Sequence, residues 1–164
     1  MDLTQLNERA KKASESTQKY FKKLKKNPPA KLDSIMADLH EEVFTHTDCL
    51  TCANCCKTTS PVFTSKDIER LAKHFRQKPG QFISQYLHID NENDYVLNVA
   101  PCPFLTSDNT CIVYESRPQA CREYPHTNRK KFYQILPLTL QNTFICPATF
   151  QIVEKLKQAL ILNK

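Results

Sequence analysis

The sequence predicts a mainly α-helical protein with little β structure, a single small domain whose irregular, cysteine-rich centre is organised by metal. Three observations carry that expectation. Apolar residues recur at three- and four-residue steps near both ends of the chain, the period of an amphipathic helix. The eight cysteines all lie between positions 49 and 146, four of them within eight residues. Four prolines (Pro101, Pro103, Pro118 and Pro125) interrupt residues 100–130, and proline lacks an amide donor and cannot continue a helix. A domain of 164 residues buries roughly 70% of its unfolded surface, so metal need not be its sole source of stability. The expected organisation is a basic helical hairpin over 1–47, a cysteine-cluster metal-chelating region over 48–147 and a C-terminal helix over 148–164.

Leu3, Leu6, Ala10, Ala13, Thr17, Tyr20 and Leu24 define the apolar face of a helix expected over 2–26. Asn27-Pro28-Pro29 ends it. A second helix over 30–44 turns Leu32, Ile35, Met36, Leu39 and Val43 to one face, and the pair is expected to form the hairpin. The cysteines of 49–56 then fall on a loop. Thr64-x-x-Asp67 has the form of a helix start, opening a helix to about Arg76 with Ile68, Leu71, Ala72 and Phe75 inward. Pro79-Gly80 breaks that run, a short helix follows over 81–88, and Tyr95–Val99 reads as a strand. Residues 132–140 are expected to be extended. Pro147 suits the first turn of the final helix, which should bury Phe150, Val153, Leu156, Leu160 and Ile161. A centre this irregular should bury few apolar side chains, leaving its loops to be held by bound metal.

Composition removes several classes of function. The only glycine is Gly80, which excludes the glycine-rich phosphate cradles of P-loop and dinucleotide-binding proteins. No stretch approaches the roughly 20 apolar residues of a membrane span, and the start of the chain lacks the basic-then-apolar order of a secretory signal. The expected location is cytoplasmic, where thiols stay reduced and four disulfides are disfavoured. Neighbouring Cys55 and Cys56 could pair only through a strained ring. The net charge of +6 is local: residues 1–31 carry nine Lys/Arg against three acids, and the remainder is balanced.

The cysteine spacing is C-x2-C-x2-CC-x45-C-x8-C-x9-C-x24-C. Thiolate is a soft, charged ligand, and C-x2-C lets two sulfurs reach one ion from a single turn. Cys49, Cys52, Cys55, Cys56, Cys102, Cys111, Cys121 and Cys146 therefore form a pool of metal ligands. They could build two four-cysteine zinc sites, or hold one [4Fe–4S] cluster and leave four thiols over. Spacing alone selects neither, nor does it divide the pool. Cys49 to Cys56, Pro101-Cys102-Pro103-Phe104-Leu105, Cys111-Ile-Val-Tyr114-Glu-Ser-Arg117-Pro118 and Cys121-Arg122-x-Tyr124-Pro125 together resemble the bacterial YkgJ-type cysteine-cluster proteins over residues 49–126, with Cys146 fitting their late cysteine. The resemblance implies zinc or iron chelation and assigns no reaction. A larger relative, the flagellin lysine N-methylase, carries a similar cysteine domain and uses S-adenosylmethionine; this chain is much shorter, so only the metal domain is carried over.

Other residues compete for roles. Arg117 and Arg122 could offset the negative charge of clustered thiolates, or pair with Glu115 and Glu123 at the surface. His126 and His46 are spare ligands that eight thiols make unnecessary, while His40, His74 and His88 lie on expected helices. Cys56 could serve as a nucleophile if free of metal, and Cys52 with Cys55 as a redox pair. The basic helix, densest at Lys22-Lys23-x-Lys25-Lys26, offers a protein or anionic partner a surface; nucleic acid is the weaker candidate, because few aromatics interleave with the lysines. Beside metal chelation stand an enzyme that uses the cluster for redox or methyl transfer, and an accessory module in which metal is structural.

Overall fold

The computed structural model describes residues 3–161 and is mainly helical with two short strands, as expected. The elements run α1 (Leu3–Lys26), α2 (Leu32–Phe44), α3 (Cys49–Cys52), α4 (Asn54–Thr58), α5 (Ser65–His74), α6 (Pro79–Tyr86), β1 (Leu87–Ile89), β2 (Tyr95–Leu97), α7 (Gln119–Glu123), α8 (Leu136–Asn142) and α9 (Pro147–Ala159). They fall into two compact units. One takes the chain up to Asp48 together with everything from Pro125 onward, and the other is Cys49–Tyr124. No helix among the described residues is long and apolar enough to cross a membrane.

The first unit is built around α9. Both α1 and α2 pack more extensively against α9 than against each other, so the expected hairpin is replaced by two helices sharing a third. The shared core joins Phe21 and Leu24 of α1, Leu32, Met36 and Val43 of α2, Phe132 and Leu136, and Ala148, Ile152, Val153 and Leu156 of α9. Each fully buried aliphatic or Phe side chain here contributes about 1.5–3 kcal/mol. Two expected positions shift: Phe21 takes the core place given to Tyr20, and Leu3 is exposed. Tyr20 instead lays its ring along the core and shares its hydroxyl proton between the carbonyls of Leu156 (3.3 Å) and Leu160 (3.0 Å), at the C-terminal end of α9. The lysines of α1 (Lys11, Lys12, Lys19, Lys22, Lys23, Lys25 and Lys26) are all exposed. Asp2, where the helix was expected to begin, lies outside the described residues.

Residues 132–140 are not extended. They form a 3₁₀ turn at Phe132–Gln134 and then α8, because Phe132 and Leu136 are drawn into the core. The Asp33 carboxylate fixes the entry by accepting from the amides of Lys131 (2.6 Å) and Phe132 (3.0 Å). At the other end, Ile161 is 82% exposed and Ile152 fills the place expected of it.

The second unit has its own hydrophobic core, contrary to the expectation of an apolar-poor centre. Phe63, Ile68, Leu71, Ala72, Phe82, Leu87, Leu97, Phe104 and Val113 form it. Phe75, Phe82, Tyr86 and Phe104 stack or tilt on one another at centroid distances of 5.0–6.2 Å. Thr64 caps α5 as its sequence predicts: its hydroxyl accepts from the Asp67 amide, and Asp67 accepts from the Thr64 amide. The break expected at Pro79-Gly80 separates α5 from α6, and Pro79 itself opens α6 two residues before the expected start, consistent with proline's tolerance at the first helical position. β1 and β2 pair antiparallel with Leu87 opposite Leu97, His88 opposite Val96 and Ile89 opposite Tyr95.

Candidate metal centre

Seven of the eight cysteines belong to the second unit, on three segments. The first segment is helical rather than a loop. α3 carries Cys49 and Cys52, α4 carries Cys55 and Cys56, and Ala53 between them is left-handed at φ 47°. That reversal lets two single turns follow each other within ten residues, although the conformation costs a non-glycine residue roughly 1–2 kcal/mol. The sulfurs of Cys55 and Cys56 lie 3.9 Å apart.

The second segment is a tight reversal over 102–113. Leu105 and Cys111 form an antiparallel bridge, and the Ile112 amide donates to the Phe104 carbonyl at 3.0 Å. The turn is closed by Thr106, which receives the Thr110 amide at 3.0 Å and donates to Asp108. Asn109 takes φ 67°, a region asparagine tolerates better than most residues. Two bonds tie this reversal to the helical segment. The Cys102 amide donates to the Cys56 carbonyl at 2.8 Å, and the Asn109 side-chain amide donates to the Thr51 carbonyl at 3.3 Å. The third segment runs from a 3₁₀ turn at Tyr114–Ser116 into α7, which carries Cys121.

The result is that Cys56, Cys102, Cys111 and Cys121 stand within electrostatic reach of one another. Burial pushes the Cys121 thiol up to about 12; repulsion from Cys56, Cys102 and Cys111 adds to this, and Arg117 opposes it. Burial likewise pushes Cys102 up to about 11, against a hydrogen bond from the Phe104 amide and with repulsion from Cys56 and Cys111. Cys111 moves upward for the same leading reason, opposed by the Val113 amide and Arg117. Cys56 goes the other way, to about 7, because the Cys55 thiol bonds to it and outweighs burial, with help from Lys57. Arg117 lies 3.6 Å over the Tyr114 ring and donates to the Tyr114 carbonyl at 3.2 Å.

These donors suit a thiophilic metal. The half-buried thiols of Cys102, Cys111 and Cys121 are all shifted toward their neutral form by desolvation, and a cation is what would support their charged form. Backbone amides two and three residues beyond Cys102, and two beyond Cys111, point at those sulfurs; a bound thiolate needs such donors around it. Among the described residues no three His, Cys, Asp or Glu side chains already converge on one ion-sized point. The sulfurs are neighbours rather than a finished coordination shell.

The other expected residues are placed as follows. Cys49 is exposed and Cys52 half-buried. Cys146 belongs to the first unit, at the start of α9, where it packs on the apolar core. His40 bonds Thr127 at 2.7 Å, His74 meets Ser116 and His88 meets Asn98. Glu123, offered as a surface partner for arginine, receives Gln119 at 2.6 Å. Sequence reasoning passed over Asp67 and Arg70 as more than helix residues, yet both reach the third segment. Asp67 accepts from the Gln119 amide at 3.1 Å, and Arg70 donates to the carbonyls of Ser116 (3.1 Å) and Arg117 (2.8 Å). Only the Thr64-x-x-Asp67 spacing hinted at either.

No curated protein and no solved structure matches the chain. The model of one family, CxxCxxCC, described as a "Putative zinc- or iron-chelating domain", matches residues 48–139. That span holds all seven cysteines of the second unit and covers more than half of the chain, which therefore belongs to the CxxCxxCC family.

Proposed function

We propose that this protein chelates zinc or an iron–sulfur cluster through a four-thiolate set of Cys56, Cys102, Cys111 and Cys121, with Cys49, Cys52 and Cys55 as the nearby reserve, in the reducing cytoplasm. The observation that carries the reading is the mutual electrostatic reach of four sulfurs drawn from three separate segments. Four thiolates around a divalent ion leave about two negative charges, by the formal charges of the soft ligands involved. Arg117 supports the arrangement by lowering both Cys111 and Cys121. The ion would supply the charge that holds the sulfurs deprotonated, and the chain's amides and Arg117 orient them.

Anaerobic purification followed by analysis for zinc, iron and acid-labile sulfide tests the reading. Metal should be present in the wild type, lost in Cys121→Ser and retained in Cys146→Ser. Retention in Cys121→Ser and in each of the other three variants of the set would refute it.

The exposed lysines of α1 favour an accessory role beside chelation, with an anionic partner on that face. Charge reversal at Lys22 and Lys23 tests this better than truncation, because removing α1 would also remove Phe21 and Leu24 from the core. Partner capture unchanged by the reversal would refute it.

A further inference from the structure

We propose that Asp67 and Arg70, one turn apart on α5, are positioning residues that hold the Tyr114–Cys121 segment so that Cys111 and Cys121 stand in register with Cys56 and Cys102. The inference rests on the four-thiolate reading and extends control of the site to residues that are not ligands.

Asp67 is 1% exposed, and a carboxylate buried that deeply is tolerated only when its oxygens are engaged. One oxygen serves α5 itself: Oδ2 accepts from the Thr64 amide at 3.0 Å and the Thr64 hydroxyl at 2.7 Å. The other has no part in capping. Oδ1 accepts from Arg70 and from the amide of Gln119 at 3.1 Å, two residues before Cys121. Arg70 then places two further donors on the same segment, Nε on the Ser116 carbonyl and Nη2 on the Arg117 carbonyl. Three backbone groups within four residues are thus held from one helix, across gaps of 46 to 52 positions. Between them sits Pro118, buried and without an amide of its own.

The geometry is surplus to the helix, whose cap is complete with Thr64 and Oδ2. It is also specific to a planar fork of donors, which lysine cannot reproduce. By holding the Arg117 carbonyl, the clamp also sets where the Arg117 guanidinium stands relative to Cys111 and Cys121.

The test compares wild type, Arg70→Lys and Ile68→Val, loaded anaerobically with Zn2+ or Co2+. Ile68→Val trims a buried residue of the same helix and touches neither arm of the clamp. Three quantities are read: release of zinc to excess EDTA, thiolate-to-cobalt absorption, and melting of the metal-free protein. Arg70→Lys should release zinc roughly 10–100-fold faster, the usual effect of removing a group that orients ligands, and should change the cobalt spectrum. Ile68→Val should lower the melting temperature while leaving release and spectrum as in wild type. Unchanged release in Arg70→Lys, or equal acceleration in Ile68→Val, overturns the clamp while leaving chelation standing. A wild type that binds neither metal and also takes up no iron–sulfur cluster on anaerobic reconstitution with iron and sulfide overturns the four-thiolate reading itself, and the clamp with it.

Discussion

Replacing Phe82 by alanine separates what the apolar core contributes to the thiol-bearing unit from what metal contributes. Phe82 is fully buried, with its ring centroid 6.4 Å from Phe63, 6.2 Å from Phe75, 5.0 Å from Tyr86 and 6.1 Å from Phe104. A buried Phe→Ala change costs about 3–5 kcal/mol. Loss of four aromatic neighbours, each pair worth about 0.5–1.5 kcal/mol beyond burial, places the expected loss near the top of that range, about 4 kcal/mol or more. Whole domains are stable by only about 5–15 kcal/mol, so the effect is large. Amide hydrogen exchange on metal-stripped protein, followed at α5 and α6, measures it locally. At about 1.4 kcal/mol per tenfold, protection there should fall roughly a thousandfold. Leu138→Ala, at a 41% exposed position of the other unit, should leave those amides unchanged. Two results would refute the reasoning: a loss below about 1 kcal/mol, far under the range for a buried ring, or α5 and α6 amides already unprotected in stripped wild type. Either would return the task of holding this unit to the metal.

Two further outcomes follow from groups outside the thiols. Burial alone would raise the Asp67 carboxyl, but hydrogen bonds from Thr64, Arg70 and Gln119 outweigh it and hold the group below its ordinary value of 3.8. Its contribution is therefore complete above that value and is lost as pH falls below it; the stability of Asp67→Asn, measured by urea unfolding between neutral pH and pH 3, should be lower at neutral pH and fall less steeply in acid. Tyr20→Phe removes the hydroxyl shared by Leu156 and Leu160 and should cost about 1 kcal/mol in urea unfolding. Because burial pushes that hydroxyl up to about 12, the variant should also lack the late step of the wild-type tyrosinate titration.

What the sequence reveals tracks how local each determinant is. The Thr64-x-x-Asp67 start is legible because both halves of the capping box lie within one turn. The same holds for Pro147 opening α9. Residues 132–140 mislead because aromatic and branched residues there suit a strand, whereas the deciding bonds come from Asp33, 98 and 99 positions away. Phe21 displaces Tyr20 because the hydroxyl of Tyr20 is better used on the end of α9. The cysteines as a pool are plain from spacing, but their grouping depends on ties such as Cys102 to Cys56 and Gln119 to Asp67, which no short window contains. Ala53 shows the same limit: nothing in its identity marks a left-handed residue.

The first unit is assembled from the two ends of the described chain, with the second unit inserted between them. Ribosomal synthesis proceeds from the N-terminus at roughly 5–20 residues per second. The apolar faces of α1 and α2 therefore emerge before the second unit and have no α9 to cover them until more than a hundred further residues are made. The thiol-bearing unit is complete once Tyr124 has left the tunnel. Of the two units it is thus the one able to fold first, before α1 and α2 can close on α9.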